Sequence, residues 1–183
     1  MGDARIEKII HLTEVFTTGN ILELGAKERS IKQHFCDLSY KTADIEPGCD
    51  LTFDCNKDFP IEEATYDTVI AGDIIEHVKQ PSRFIEEVHR ILCPGGVLIL
   101  STPNVMRNWQ AYMRDDHISL LSCDEVLYLM RKKKFIIAHV TGSSVGFTTG
   151  RLGWAPGLHW LSKKLGDLFP MLSYYTIAVG IKP

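Results

Sequence analysis

The sequence predicts one doubly wound α/β domain, built on a mostly parallel sheet with helices on both faces. Short apolar runs recur at residues 21–24, 68–72 and 97–101, and patterns with helical spacing separate them. Strands that alternate with helices in this way are typical of a parallel sheet. The three runs stay apolar at successive positions, as expected for strands whose two faces are both buried.

Length and composition fit a single domain over residues 1–183. A chain of this length buries roughly 70% of its unfolded surface on folding, and 45% of its residues are hydrophobic. The formal net charge of −3 provides no global basic field, so we expect no nucleic-acid partner. No apolar run approaches the roughly 20 residues that span a bilayer, so we expect no transmembrane segment.

The cysteines and the N-terminus indicate a cytoplasmic protein. The five cysteines are odd in number and form no C-x-x-C pair. This argues for reduced thiols and against both a disulfide framework and a zinc site. The first residues, MGDARIEKIIHLTEVF, are amphipathic and charged throughout, unlike a signal peptide.

Spacing and chain breakers place the elements of the first half. Apolar residues at helical spacing predict a covering helix over residues 4–17. Gly25 ends the first strand, and the pattern through residues 31–36 predicts a second helix. The run SYKTAD at 39–44 predicts a second strand, which stops before the breaker Pro47-Gly48.

The second half repeats the alternation. Pro81 opens a helix that stops at the CPGG turn, and VLILS follows as a strand. Ser122 and Glu125 form a capping box for the next helix. The runs at 135–140 and 174–181 complete the strands. No helix of standard length is evident between these two, so we expect the last strand to run antiparallel.

Residues 141–173 are rich in aromatic residues, leucines and glycines. Helical spacing would place four leucines on one face: Leu158, Leu161, Leu165 and Leu168. Such a face can pack on the domain's own core, form a lid over the substrate, make a homodimer surface or touch a membrane. The sequence does not separate these alternatives.

The stretch ILELGAKERS, residues 21–30, begins like a cofactor loop. In open α/β sheets the ligand binds beyond the carboxyl ends of the strands, where strand order reverses. An acidic residue about 20 positions after the glycine turn usually binds a ribose. Asp44 lies 19 positions after Gly25, at the end of the second predicted strand. The spacing predicts a ribose-containing cofactor.

The loop favours S-adenosylmethionine over NAD. A pyrophosphate must approach the backbone closely, which is why dinucleotide loops need a second glycine. Lys27 stands at that place, and Glu28 adds negative charge where phosphates would bind. S-adenosylmethionine has no phosphate, and Glu23 is placed to hold its ammonium group. An NAD-dependent oxidoreductase is therefore the weaker alternative.

Five segments in register resemble class I S-adenosylmethionine-dependent methyltransferases, in the group with type 11 methyltransferase domains. The segments are ILELGAKERS, KTADIEPG, LTFDCNKDFPI, YDTVIAGDIIEHV and ILCPGGVLILSTPN. They follow the family's order and spacing from Ile21 to Asn104, and DHISLLS and KKKFIIAHV extend the match to about residue 140. The resemblance implies a Rossmann-like fold and S-adenosylmethionine as cofactor.

The resemblance also implies cofactor contacts. They are Glu23 and Gly25 at the methionine end, Asp44 at the ribose hydroxyls, Ile45 on the adenine, Asp54 at the adenine amino group and Gly72 through its backbone. Lys27 and Arg29 depart from the family by replacing glycines of the first motif. A non-catalytic domain that keeps the fold and acts through a partner is therefore the main alternative.

The acceptor side is predicted from GDIIEHV. His77 follows Glu76 at the mouth of the site and is the candidate general base for a hydroxyl substrate. If this segment is helical, Asp73, Glu76 and His77 share one face. They resemble the acid-x-x-Glu-His metal site of some O-methyltransferases, with His117 as a possible fourth ligand for a magnesium-like ion.

The acceptor class follows from what the sequence lacks. It contains no N-P-P-Y-type motif for the exocyclic nitrogens of bases and no basic stripe for a polynucleotide. We therefore expect a small-molecule substrate. A hydroxyl is one candidate acceptor, and the sequence does not determine whether the methylated atom is O, N, C or S.

Overall fold

The computed structural model describes residues 4–17, 19–27, 30–35, 39–144 and 156–183, with the side chains of 156–159 left out. Within these residues seven strands form one sheet in the order β3-β2-β1-β4-β5-β7-β6. The strands are β1 (Ile21–Leu24), β2 (Tyr40–Asp44), β3 (Leu51–Thr52), β4 (Tyr66–Gly72), β5 (Leu92–Pro103), β6 (Ile136–Gly142) and β7 (Tyr175–Ile181). The helices are α1 (Ala4–Phe16), α2 (Pro81–Ile91), α3 (Cys123–Lys132) and α4 (Pro156–Leu168).

The sheet is mostly parallel and ends antiparallel, as predicted. Strands β1 to β5 pair parallel to one another, whereas β7 is antiparallel to both β5 and β6. The chain runs outward from β1 to β3, then returns to place β4 on the other side of β1. This reversal creates a crevice at the carboxyl ends of β1 and β4.

Both faces of the sheet are buried. On β4 the neighbouring residues Val69 and Ile70 belong to opposite hydrophobic cores. Helices α2 and α3 cover the Val69 core, and α1 covers the Ile70 core through Ile9 and Leu12. This two-sided burial explains why the predicted strand runs contain no alternation of polar residues.

Local signals fix the ends of the helices. Pro81 is the first residue of α2. The predicted capping box is confirmed at α3, where the Ser122 amide donates to Glu125 at 2.8 Å and the Glu125 amide donates to the Ser122 hydroxyl at 3.3 Å. Such a cap contributes about 1 kcal/mol. Across the described ranges, no helix is both long and apolar enough to cross a bilayer.

Several predicted elements were wrong in detail. In place of a helix through residues 31–36, the described part has one 3-10 turn at Lys32–His34, and residues 36–38 lie outside the description. The strand after α2 begins at Leu92 and includes the CPGG turn. The two-residue strand β3 was missed because it is too short to show a pattern. The GDIIEHV segment contains a 3-10 turn, Ile75–His77, not an α-helix.

Helix α4 exists, but its leucine face does not pack on the core. Leu161 and Leu168 are exposed, whereas Ser162 and Gly166 are buried. A Cβ on Gly166 would lie 3.1 Å from the Ser144 backbone, so α4 approaches that backbone closely through its small residues. Leu158 is outside the described side chains, and residues 145–155 are outside the described range.

Candidate active site

A cavity of about 510 Å³ opens at the carboxyl ends of β1, β2 and β4. It brings together five predicted site residues: Glu23, Gly25, Asp44, Gly72 and His77. The first four come from strand ends that the parallel register places side by side. The cavity therefore lies where the strand order reverses, at the place expected for a cofactor.

Gly25 makes the turn out of β1. Its φ is +70°, a conformation that favours glycine, and its amide donates to the Ala43 carbonyl at 2.9 Å. An added Cβ would lie 3.2 Å from Cδ1 of Ile74. Backbone conformation and space both favour glycine here.

Asp44 holds the loops on either side of it. Its Oδ2 accepts a hydrogen bond from the Lys27 amide at 3.2 Å, and its Oδ1 accepts one from the Glu46 amide at 3.0 Å. The Lys27 ammonium pairs with Glu46, which raises the pKa of Lys27. The Lys27 ammonium is thus held in an ion pair by Glu46, two residues after the predicted ribose ligand Asp44. Arg29 lies outside the described residues.

Glu23 is buried on β1, with 6% of its surface exposed. Its carboxylate accepts hydrogen bonds from the Ser30 hydroxyl at 2.5 Å, the Ile31 amide at 3.1 Å and the Tyr40 hydroxyl at 3.0 Å. Burial raises the pKa of the Glu23 carboxyl, although these hydrogen bonds oppose the shift. Glu23 therefore holds the loop after β1 in addition to lining the cavity.

The two predicted adenine contacts lie outside the cavity lining. The Ile45 side chain is 63% exposed beside Asp44. The Asp54 carboxylate accepts from the Asn56 amide at 2.9 Å, and this bond lowers the pKa of Asp54. Both adenine contacts stay predictions.

Arg5 is a cavity residue that sequence reasoning missed. It is 6% exposed on α1, forms an ion pair with Asp73, and its guanidinium lies 4.8 Å from the Tyr175 ring centroid. Asp73 also accepts from the Ser101 hydroxyl at 2.8 Å. One signal was available, because Arg5 shares a helical face with the core residue Ile9.

His77 also lines the cavity. Its Nδ1 lies 2.9 Å from the Asp116 carbonyl oxygen and 3.6 Å from the Asp116 carboxylate. Arg114 donates two hydrogen bonds to that carboxylate, at 3.0 and 2.7 Å, and holds the pKa of Asp116 down to about 2. The segment after β5 therefore supplies the group that orients His77.

Behind His77 is a cluster of possible metal ligands. Among the described residues, one ligand atom each from Glu76, His77 and His117 lies within 4.8 Å of the other two. Glu76 is buried and accepts from the Thr102 hydroxyl at 2.9 Å, and burial raises the pKa of Glu76 to about 7. The expected inclusion of Asp73 was wrong, because its carboxylate pairs with Arg5 instead.

Comparison with known proteins decides the family. A family model described as a methyltransferase domain matches residues 3–139, about three quarters of the chain. The match includes the carboxyl ends of β1, β2 and β4, where the cavity opens. The chain belongs to the class I S-adenosylmethionine-dependent methyltransferases.

Two curated relatives and one solved structure illustrate the similarity. A probable S-adenosylmethionine-dependent methyltransferase of Mycolicibacterium smegmatis is 36% identical over 98 residues, covering 46% of this methyltransferase and 38% of the relative. The mitochondrial ubiquinone biosynthesis O-methyltransferase of Mus musculus is 30% identical over 67 residues, which cover 37% of this methyltransferase and 15% of the relative. A methyltransferase structure from Archaeoglobus fulgidus aligns with a TM-score of 0.70 at 10% identity. The alignment covers 99% of this methyltransferase and 95% of the other chain.

These similarities extend over different lengths. The aligned part of the methyltransferase spans less than two fifths of either curated relative. The structural alignment spans nearly the whole of both chains, and at 10% identity it shows the shared fold.

Proposed function

We propose that this chain transfers the methyl group of S-adenosylmethionine to a hydroxyl oxygen of a small molecule. One observation carries the proposal. The same cavity is lined by the carboxylate of Asp44, at a strand end, and by the imidazole of His77, which Asp116 orients. A cofactor side and an acceptor side thus face the same space.

Four of the predicted residues suit the cofactor. Gly25 and Gly72 leave backbone exposed along the cavity, Asp44 offers carboxylate oxygens to ribose hydroxyls, and Glu23 offers negative charge. The bound cofactor supplies a methyl group that is already electrophilic. The protein's own contribution is therefore mainly proximity and orientation.

Arg5 completes the amino-acid end of this site. The cofactor carries an α-carboxylate and an α-ammonium group, and the cavity wall already presents a cation and an anion side by side. Arg5 suits the carboxylate, because guanidinium and carboxylate groups match in planar geometry. Asp73 suits the ammonium group. Lys27, whose ammonium pairs with Glu46, is assigned to neither group.

His77 suits the role of general base. A carbonyl oxygen can only accept, so the bond to Asp116 places the proton on Nδ1 and leaves a lone pair on Nε2. If the bound cofactor gave its methyl group to the acceptor oxygen, Nε2 would take the proton that the hydroxyl loses. The Asp116 carboxylate at 3.6 Å then stabilises the charged imidazole.

The choice of oxygen as the methylated atom has one supporting comparison. The mouse relative is described as an O-methyltransferase of ubiquinone biosynthesis, and its similarity lies over 67 residues. A hydroxyl acceptor is also consistent with His77 as general base, because the hydroxyl oxygen must lose its proton.

A radiolabelled methyl-transfer assay tests the proposal with phenols, catechols and alcohols against amines and thiols. We expect product from a hydroxyl compound, and His77→Gln should lower kcat about 10²- to 10⁴-fold without changing affinity for S-adenosylhomocysteine. His139→Gln, an exposed position on β6, is the matched control. Cofactor binding without transfer to any acceptor would favour the non-catalytic alternative.

The ligand cluster supports a second candidate, metal-assisted transfer. A bound ion would lower the pKa of the acceptor hydroxyl, and His77 would then be a ligand and not the base. One carboxylate and two imidazoles suit Mn²⁺ or Zn²⁺ better than Mg²⁺. Metal analysis of protein purified without chelator, with His117→Ala as the comparison, distinguishes the two candidates. Equal metal content near zero in both proteins would contradict this candidate.

A further inference from the structure

Two segments near the cavity concentrate exposed apolar side chains. Among the described residues, ten of the fifteen exposed large hydrophobic side chains lie in residues 106–113 and 160–172. They include Met113 at 72%, Leu168 at 70% and Trp109 at 66% exposure. We call these two segments the apolar rim. So large a share of apolar exposure in two segments indicates a contact surface, not scattered surface residues.

The helix in the rim is oriented with its apolar face outward. Trp160, Leu161 and Leu168 share the exposed side of α4, while Ser162 and Gly166 face the protein. A helix that packed its apolar face on the protein core would bury these three apolar side chains instead. The small residues of α4 therefore make its contacts with the rest of the protein, and its exposed apolar face is free to contact another surface.

The two rim segments are linked by hydrogen bonds at their ends, and both border the cavity. Asn104 lies two residues before the first segment, and its side-chain amide donates to the carbonyls of Met171 at 3.0 Å and Ser173 at 3.1 Å, around the end of the second segment. Arg114 follows the first segment, Tyr175 closely follows the second, and both line the cavity. A surface that covered the rim would therefore lie at the mouth of the active site.

Three cations lie within the rim, and one of them, Lys163, pairs with Glu7. Arg107 stands between Met106 and Trp109, and the Lys164 ammonium lies 4.8 Å from the centroid of Trp160. In the described part of the chain neither Arg107 nor Lys164 forms an ion pair, whereas the nearby acid Asp167 is paired with Lys8. Aromatic rings beside flexible cations are typical of side chains at a membrane–water interface.

We infer that the apolar rim rests on an anionic lipid surface and admits to the cavity an amphiphilic acceptor carried by that surface. The acceptor's hydroxyl head group enters toward His77, and its apolar part stays against the rim. The acceptor half of this inference rests on the proposed function. A second copy of the chain fits less well, because a two-fold interface pairs the same patch with itself and brings its cations together.

Vesicle flotation of the full chain tests the inference. Vesicles of phosphatidylcholine alone are compared with vesicles containing 30–40% phosphatidylglycerol (about one third anionic lipid) at physiological salt. We expect flotation with the anionic vesicles, at least tenfold less for Trp160→Ser with Leu168→Ser, and a smaller loss for Arg107→Gln with Lys164→Gln. The matched controls are Tyr128→Ser with Ile136→Ser, equally exposed apolar positions outside the rim.

Each outcome decides the question. No flotation of the wild-type chain, or an equal loss in the control variant, overturns the inference. A wild-type dimer in light scattering that Trp160→Ser with Leu168→Ser converts to monomer, without flotation, assigns the face to a second copy. Calorimetry with S-adenosylhomocysteine on the same preparations keeps the proposed function separate. Flotation without cofactor binding would contradict that function and leave the lipid contact standing.

Discussion

The two walls of the cavity are built by different means. On the cofactor side, Glu23, Asp44 and Gly72 lie on neighbouring parallel strands, so the sheet register alone brings them together. On the acceptor side, His77 lies in a 3-10 turn and its partner Asp116 lies 39 residues further along the chain. The first wall is a consequence of the sheet, whereas the second depends on loop contacts.

Those loop contacts are specific. The Ile118 and Ser119 amides both donate to the Glu76 carbonyl, at 2.8 and 2.9 Å, and the Ser119 hydroxyl donates to the Val78 carbonyl at 2.6 Å. They fix the segment after β5 against the turn that carries His77. A family can therefore keep the cofactor wall while its acceptor wall changes with the loops.

Among the effects on cofactor binding, we expect the largest on the cofactor wall. Asp44→Ala should weaken S-adenosylhomocysteine binding about 10- to 100-fold, because a ribose would lose a charged acceptor contributing about 1.5–3 kcal/mol. Titration calorimetry measures it, with the exposed Asp58→Ala as control. An unchanged affinity in a folded Asp44 variant would show that the ribose position was misassigned.

Arg5→Gln should separate the amino-acid end of the cofactor from its nucleoside. We expect roughly tenfold weaker S-adenosylhomocysteine binding, in the range for a charge-assisted hydrogen bond, and unchanged binding of 5′-methylthioadenosine, which lacks the carboxylate. Competition titrations with both ligands give the two affinities. Equal losses for both would mean that Arg5 acts only by holding α1 in place.

The acceptor wall should respond to pH through Glu76. Burial raises its pKa to about 7 in the folded chain, so its contribution to stability is fully present below the unfolded value near 4.5 and is lost as pH rises through 7. Glu76→Gln should remove that loss of stability. We expect it to be on the order of 1–3 kcal/mol, because one pKa unit corresponds to about 1.4 kcal/mol. Melting temperatures from pH 5 to 8 test it. Parallel pH profiles for the variant and the wild-type chain would contradict the shift.

The smallest effect is expected at Lys27. Because its ammonium pairs with Glu46, Lys27→Gly should change S-adenosylhomocysteine affinity by no more than about threefold, since exposed ion pairs contribute little. The same calorimetric titration measures this. A tenfold loss would show that Lys27 has become a cofactor ligand in spite of its ion pair.

The same contrast explains what the sequence could predict. The fold, Glu23, Gly25 and Asp44 follow from strand runs, a glycine turn and one spacing, which are all local signals. Gly72 was implied by the family resemblance, and His77 was singled out by its place after Glu76 at the mouth of the predicted site. Arg5 and Asp116 were missed, because their roles depend on tertiary contacts with Asp73 and His77. The sequence left the contacts of the α4 leucine face open, because periodicity shows that a helix has an apolar side but not where that side points.

We expect this cavity to bind S-adenosylmethionine despite its altered glycine loop. The decisive experiment is side-by-side calorimetric titration with S-adenosylhomocysteine, S-adenosylmethionine and NAD. We expect saturable 1:1 binding of the first two ligands and none of NAD at the same concentrations. Binding of NAD alone, or of no ligand at millimolar concentration, would contradict this expectation.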